Sequence, residues 1–207
     1  MNAVNMLDHK VAGRLAWTRA DLQPEEWSRS LPAECLAELR LALDRTRRHC
    51  VPAVLWTPDQ FALPACRRFM AEVRAILDDG VRFVLIDRLP VEEWTVDESK
   101  LVYWLLSSLI ARPVAQKYDG FDPNAFLSDV LDTGAKPTPG SGVRPDRTNV
   151  DLIYHNDNAF NHTMPRYVGL LCLQPARSGG LSRIMSVYTA HNELLDRHAA
   201  NMRRLYE

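Results

Sequence analysis

The stretch "LIYHNDNAFN", Leu152–Asn161, sets a histidine and an aspartate two positions apart at the end of an apolar run. In an extended strand, residues i and i+2 point to the same face. His155 and Asp157 would then aim an imidazole nitrogen and a carboxylate oxygen at one point, where they can share a cation. The same pair also suits a polar turn at a strand end, because Asn156 and Asn158 are turn formers. A His-x-Asp pair alone does not separate these two readings.

The chain around the pair has a strand-like texture. "PVAQKYDG", "FLSDVLDTG", "NVDLIYHND", "RYVGLLCLQ" and "LSRIMSV" are apolar runs parted by turn residues. Between the second and third lies the Pro/Gly-rich loop "GAKPTPGSGVRPDR", Gly134–Arg147. Structureless loops of that length are usually functional or disordered. Cys172, inside "RYVGLLCLQ", reads as a small core residue rather than a nucleophile, since free cysteine is usually buried.

Upstream, the texture is helical. Ser30 is placed to cap a helix in which Leu36, Leu39 and Leu43 recur at helical spacing. A second helix, "LPACRRFMAEVRAILDDG", aligns Phe69, Met70, Val73, Ile76 and Leu77, and Gly80 is placed for its C-terminal cap. A short strand comes next, over Phe83–Ile86. Asp97 then reads as the cap of a third helix, "ESKLVYWLLSSLIA", with a face of Leu101, Trp104, Leu105 and Leu109 that suits core packing. The last segment, "TAHNELLDRHAANMRRLYE", is again helical. The expected class is α+β: N-terminal helices, then an antiparallel sheet or barrel. The 207 residues suit a single domain, with a mainly helical part over 1–112 and strands, with a terminal helix, over 113–207.

Whole-chain properties exclude several functions. The formal net charge is -1, so no global field favours nucleic acid or an anionic membrane. No apolar run is long enough to span a bilayer, and "MNAVNMLDHK" lacks signal-peptide character. Cys35, Cys50, Cys66 and Cys172 never form a CxxC pair, which argues against a zinc knuckle and for reduced thiols in a cytoplasm. GxGxxG, GxxxxGK[ST], GxSxG and HExxH are all absent.

The residues C-terminal to the pair decide between its readings. "AFNHTMPRYVGLLCLQPARSGGLSRIMSVYTAHNELL" resembles the TauD/TfdA-type, clavaminate-synthase-like branch of the Fe(II)/2-oxoglutarate dioxygenases. The likeness is dense over Thr148–Leu195 and looser from about Gly80 onward. It implies that His155 and Asp157 are two ligands of a 2-His-1-carboxylate iron site, a set that leaves positions open for cosubstrate and O₂. It implies that Ser182, in the "SGGLS" turn, contacts a carboxylate of 2-oxoglutarate, as a short hydroxyl can. Asn149, Asp151 and Asn158 flank the pair and could line a substrate pocket or be solvated polar residues.

The resemblance also implies residues that these 207 do not supply. By the same resemblance, the strands of 113–207 are part of a double-stranded β-helix, or jelly roll, and its closing strands, the second ligand histidine and an arginine for the far carboxylate of 2-oxoglutarate are expected after Glu207. The chain thus reads as the N-terminal portion of an oxygenase that oxidises a C–H bond of a small molecule, with succinate and CO₂ as coproducts. Its cofactors would be Fe(II), 2-oxoglutarate and O₂, and its partner a small-molecule substrate, with a homo-oligomer possible. The alternative is a non-catalytic family member acting as a binding or scaffold protein. A third reading completes the site from a partner chain through His162 or His191. His191 and His198, seven apart in the last helix, otherwise read as structural.

Overall fold

The computed structural model describes residues 6–49, 51–115, 126–136, 138, 140–143, 145–157 and 164–206. Its organising unit is a layer of three helices. α2 (Ala33–Thr46), α3 (Pro64–Asp79) and α4 (Val96–Ile110) pack against one another. Their apolar stripes meet at Leu39 and Leu43 of α2, Phe69, Met70 and Val73 of α3, and Leu101, Val102 and Leu105 of α4, all buried. Two tryptophans close one end of this core. Trp104 donates its indole N–H to the Trp56 carbonyl over 2.8 Å, so the buried ring keeps its polar atom paired.

The helix ends obey local chemistry, and two caps differ from expectation. α2 begins after Pro32, whose fixed φ suits entry into a helix. Ser30 lies instead in a short strand, β1 (Ser28–Ser30). α4 starts earlier than expected. Thr95 is its cap, and the Glu98 carboxylate reaches back to the Thr95 N–H at 2.8 Å, completing a capping box. Asp97 therefore sits in the first turn, where its charge favours the helix dipole. Gly80 ends α3 as expected, with its N–H on the Ile76 carbonyl at 3.0 Å.

α3 carries a further cap from a neighbour. The Glu38 carboxylate of α2 accepts the Ala65 and Cys66 N–H groups at 2.8 and 2.9 Å. Burial alone would raise this carboxyl. The two backbone donors, with the Cys66 thiol and the Arg68 charge, together outweigh it and hold Glu38 below its ordinary range. A short helix α1 (Pro24–Trp27) precedes β1. β1 pairs in parallel with β2 (Leu85–Asp87), in the register Ser28↔Leu85, Arg29↔Ile86, Ser30↔Asp87. The strand expected over Phe83–Ile86 thus forms, shifted toward Asp87.

The second half departs from expectation. Among the described residues of 113–207 there is no strand, so the jelly-roll part expected there is not seen among them. Strands persist only when both rows of backbone groups and at least one side-chain face find partners. Here the apolar positions face outward: Ile153, Leu170 and Leu181 are 84%, 80% and 83% exposed. Cys172 is likewise exposed rather than core. The last helix, α5 (Val187–His198), forms and continues as a 3₁₀ stretch over Ala199–Leu205. No helix among the described residues is long and apolar enough to cross a membrane.

The candidate metal pair and its surroundings

Several contacts tie the second half to the helical layer, among them three around residues 166–169. Tyr167 donates its hydroxyl to Asp78, near the C-terminal end of α3, and Arg166 adds a second bond to the same oxygen at 2.9 Å. The Tyr167 hydroxyl, the arginines Arg74 and Arg166 and their charges hold Asp78 below the usual carboxylate range. Gly169 lies against the Tyr103 side chain of α4. A Cβ there would come within 2.6 Å of the phenol oxygen, so any larger residue would push the tyrosine ring aside. The long Pro/Gly loop is drawn closed at its base, where Leu131 and Thr133 donate N–H groups to the Asp146 and Arg147 carbonyls at 3.2 and 3.0 Å.

Beyond that closed loop the chain runs irregularly to the His-x-Asp pair. His155 and Asp157 do converge: Nε2 lies 3.3 Å from Oδ1, and both side chains are about half exposed. They do so across a turn, not from one face of a strand. The other ring nitrogen sets the chemistry. Nδ1 lies 2.8 Å from the Ile153 carbonyl oxygen. A carbonyl only accepts, so Nδ1 carries the proton and donates it. In the neutral ring, Nε2 is then a lone pair facing a carboxylate oxygen. Two acceptors at that separation repel unless a second ring proton or a metal cation stands between them. Anchoring one ring nitrogen on a backbone carbonyl is how proteins commonly orient a metal-binding histidine.

The donor set therefore fits two ligands of a divalent cation. It does not supply a third: among the described residues, no group of three or more His, Cys, Asp or Glu could hold one ion. His191 is engaged elsewhere, its Nε2 donating to the His9 carbonyl at 3.1 Å. His162 and Asn158 lie outside the described residues. Asn149, Asp151 and Ser182 are exposed, and no described hydrogen bond or ion pair joins them to His155 or Asp157. Ser182 comes just after a turn in which Gly179 and Gly180 both adopt positive φ, 76° and 71°, a left-handed pair that side-chain-bearing residues resist. Sequence reasoning missed the Ile153 carbonyl, because a backbone acceptor leaves no residue-type signal.

Comparison with known proteins now adds the lineage. Residues 48–207 match the family described as "Taurine catabolism dioxygenase TauD, TfdA family". The chain belongs to the TauD/TfdA family. It is also similar to FR-33289 synthase of Streptomyces rubellomurinus (strain ATCC 31215), with 27% identity over 195 residues. That alignment covers 93% of this chain and 54% of the relative, so the chain spans about half the relative's length. Family membership implies a jelly-roll architecture. Both the pair and the turn bearing Ser182 fall within the matched region, while residues 6–47 lie ahead of it.

Proposed function

We propose that this chain contributes two iron ligands, His155 and Asp157, to an Fe(II)/2-oxoglutarate-dependent oxygenase that oxidises a C–H bond of a small molecule. The observation that carries this reading is the Nδ1 anchor on Ile153, which leaves Nε2 as a lone pair facing the Asp157 carboxylate. Bound iron, with 2-oxoglutarate and O₂, would supply the oxidising power, and the cosubstrate would leave as succinate and CO₂. The chain's own residues would do the rest. His155 donates its Nε2 electron pair, and Asp157 adds a negative charge that favours a dication. The Ser182 hydroxyl would donate to a 2-oxoglutarate carboxylate. Asn149, Asp151 and Asn158 would present polar groups to the substrate. We read the chain as one domain, whose apolar runs over 113–207 would enter the jelly-roll strands that the family fold implies.

Mn(II), a redox-silent stand-in for Fe(II), tests the reading. Its electron paramagnetic resonance signal reports free and bound ion directly. Weak but saturable binding is expected, accompanied by a rise in melting temperature, because a ligand that binds only the folded state stabilises it. His155→Ala and Asp157→Ala should each abolish the binding. Equal binding by wild type and both variants would overturn the assignment. No binding by any of the three would instead favour a non-catalytic role for the chain.

A further inference from the structure

We propose that the N-terminal arm, residues 9–17, is a strap that positions the segment bearing Ser182, and that Asn192 is its principal positioning residue. The functional part of this inference rests on the reading of Ser182 given above. Ser182 is only four residues ahead of Ser186, which is the N-cap of α5. Whatever fixes the start of α5 therefore fixes one end of the Ser182 segment.

The helical layer does not fix it. α5 contains no buried residue, and its extensive contacts are with the 3₁₀ stretch after it rather than with α2, α3 or α4. The arm does. The Ser186 hydroxyl donates to the Leu15 carbonyl at 2.5 Å while accepting the Thr189 N–H at 3.1 Å. Thr189 Oγ1 donates to the Trp17 carbonyl at 2.7 Å. The Asn192 amide makes two bonds to one residue. It accepts the Val11 N–H at 2.9 Å and donates to the Val11 carbonyl at 2.8 Å. Lys10 and Asp196 add an ion pair at 2.7 Å.

Positions 186, 189, 192 and 196 share one helix face. From Lys10 to Leu15 the partner positions on the helix fall from 196 to 186, so this part of the arm runs antiparallel to α5, and Trp17 then returns to Thr189. The arm's backbone has no strand partner here, and α5 side chains take that place. The strap is anchored in turn: Trp17 donates its indole N–H to the Val81 carbonyl at 2.8 Å and packs its ring on Phe83. A continuous path thus runs from the end of α3 through Trp17, the arm and α5 to Ser182. The arm lies ahead of the residues that match the family.

Hydrogen exchange measured by mass spectrometry, on the full 207-residue chain, tests the strap. Asn192→Ala should speed exchange across 181–189 about tenfold, as expected for losing a two-bond contact, with amides of 64–110 unchanged. Asn192→Asp keeps the acceptor for the Val11 N–H but loses the donor, so it should fall between the two. A chain lacking residues 2–17 should show the full effect. With Mn(II) present, 2-oxoglutarate affinity should fall about tenfold in Asn192→Ala, while Mn(II) affinity stays within about twofold of wild type. Unchanged exchange across 181–189 in both Asn192→Ala and the truncated chain overturns the strap. Faster exchange with unchanged 2-oxoglutarate affinity reduces the arm to a brace and overturns its positioning role. Ser182→Ala separates the two readings. If it binds 2-oxoglutarate as well as wild type, the Ser182 assignment falls, and the strap is judged on exchange alone.

Discussion

The Tyr167 hydroxyl donates to the Asp78 carboxylate, tying the middle of the second half to the end of α3 across 89 positions of sequence. Arg166 reaches the same oxygen, and Arg74 bonds the other at 3.2 Å. One carboxylate thus collects three donors from two elements, and its place at the helix end lets it face both.

Tyr167→Phe removes one donor and leaves the ring. It should lower stability modestly, since the carboxylate loses one of its donors. The loss should be local in effect: amides over 164–171 should exchange faster, while those of α3 hold. Asp78 is depressed in the folded state, so its contribution is present above its unfolded value and fades as pH falls through the folded one. The Tyr167→Phe penalty, read from urea unfolding, should accordingly shrink toward zero in strong acid.

The same sign applies within the helical layer. Glu38 caps α3 with its carboxylate and sits below its ordinary range. Glu38→Gln keeps an acceptor but loses the charge. It should lower stability at neutral pH by about 1 kcal/mol, the usual worth of a helix cap. Below about pH 4, where an unfolded glutamate takes up its proton, wild type loses the same advantage and the two unfolding curves should converge. A penalty independent of pH would show that packing rather than charge accounts for the effect.

How far the sequence foretold this structure depends on where the deciding contacts lie. α3 was legible because Phe69, Met70 and Val73 recur at helical spacing and meet a core built from neighbours with the same pattern. Caps were less so. Thr95-x-x-Glu98 is a capping-box signature, yet Asp97 competed with it just downstream. The strands expected over 113–207 rest on apolar runs parted by turn residues, but a strand also needs a facing sheet, and Ile153 and Leu170 lie exposed. Of the site, the His155–Asp157 convergence was legible. The Ile153 carbonyl and the Asn192–Val11 contact were not, since both depend on backbone atoms that any residue type would provide.

The cysteines divide by environment. Cys35 and Cys66 are buried, and burial pushes both thiols up, away from the reactive thiolate. Cys172 is exposed. In a Cys50→Ser background, an aromatic disulfide reagent at neutral pH should label one thiol quickly, and Cys172→Ser should remove that phase. The remaining two should react only as denaturant unfolds the helical layer. Rapid labelling of three thiols in the native protein would contradict the burial of Cys35 and Cys66.

Ser99 offers a test with the opposite sign. It lies near the start of α4, 1% exposed, and its Oγ has no hydrogen-bond partner among the described residues. A buried hydroxyl without a partner gave up its water bonds on folding and gained none in return. Ser99→Ala removes that penalty, keeps the Cβ, and substitutes a stronger helix former. Most substitutions at a position this buried destabilise a protein. Here the expected result is a gain of about 0.5–1 kcal/mol in urea unfolding. Ser99→Val, which fills the site with a methyl in place of the hydroxyl, should not match it, because the extra carbon must be accommodated in a closed core. A loss of stability in Ser99→Ala would mean that the hydroxyl is satisfied in solution, by an internal water or by the α4 backbone.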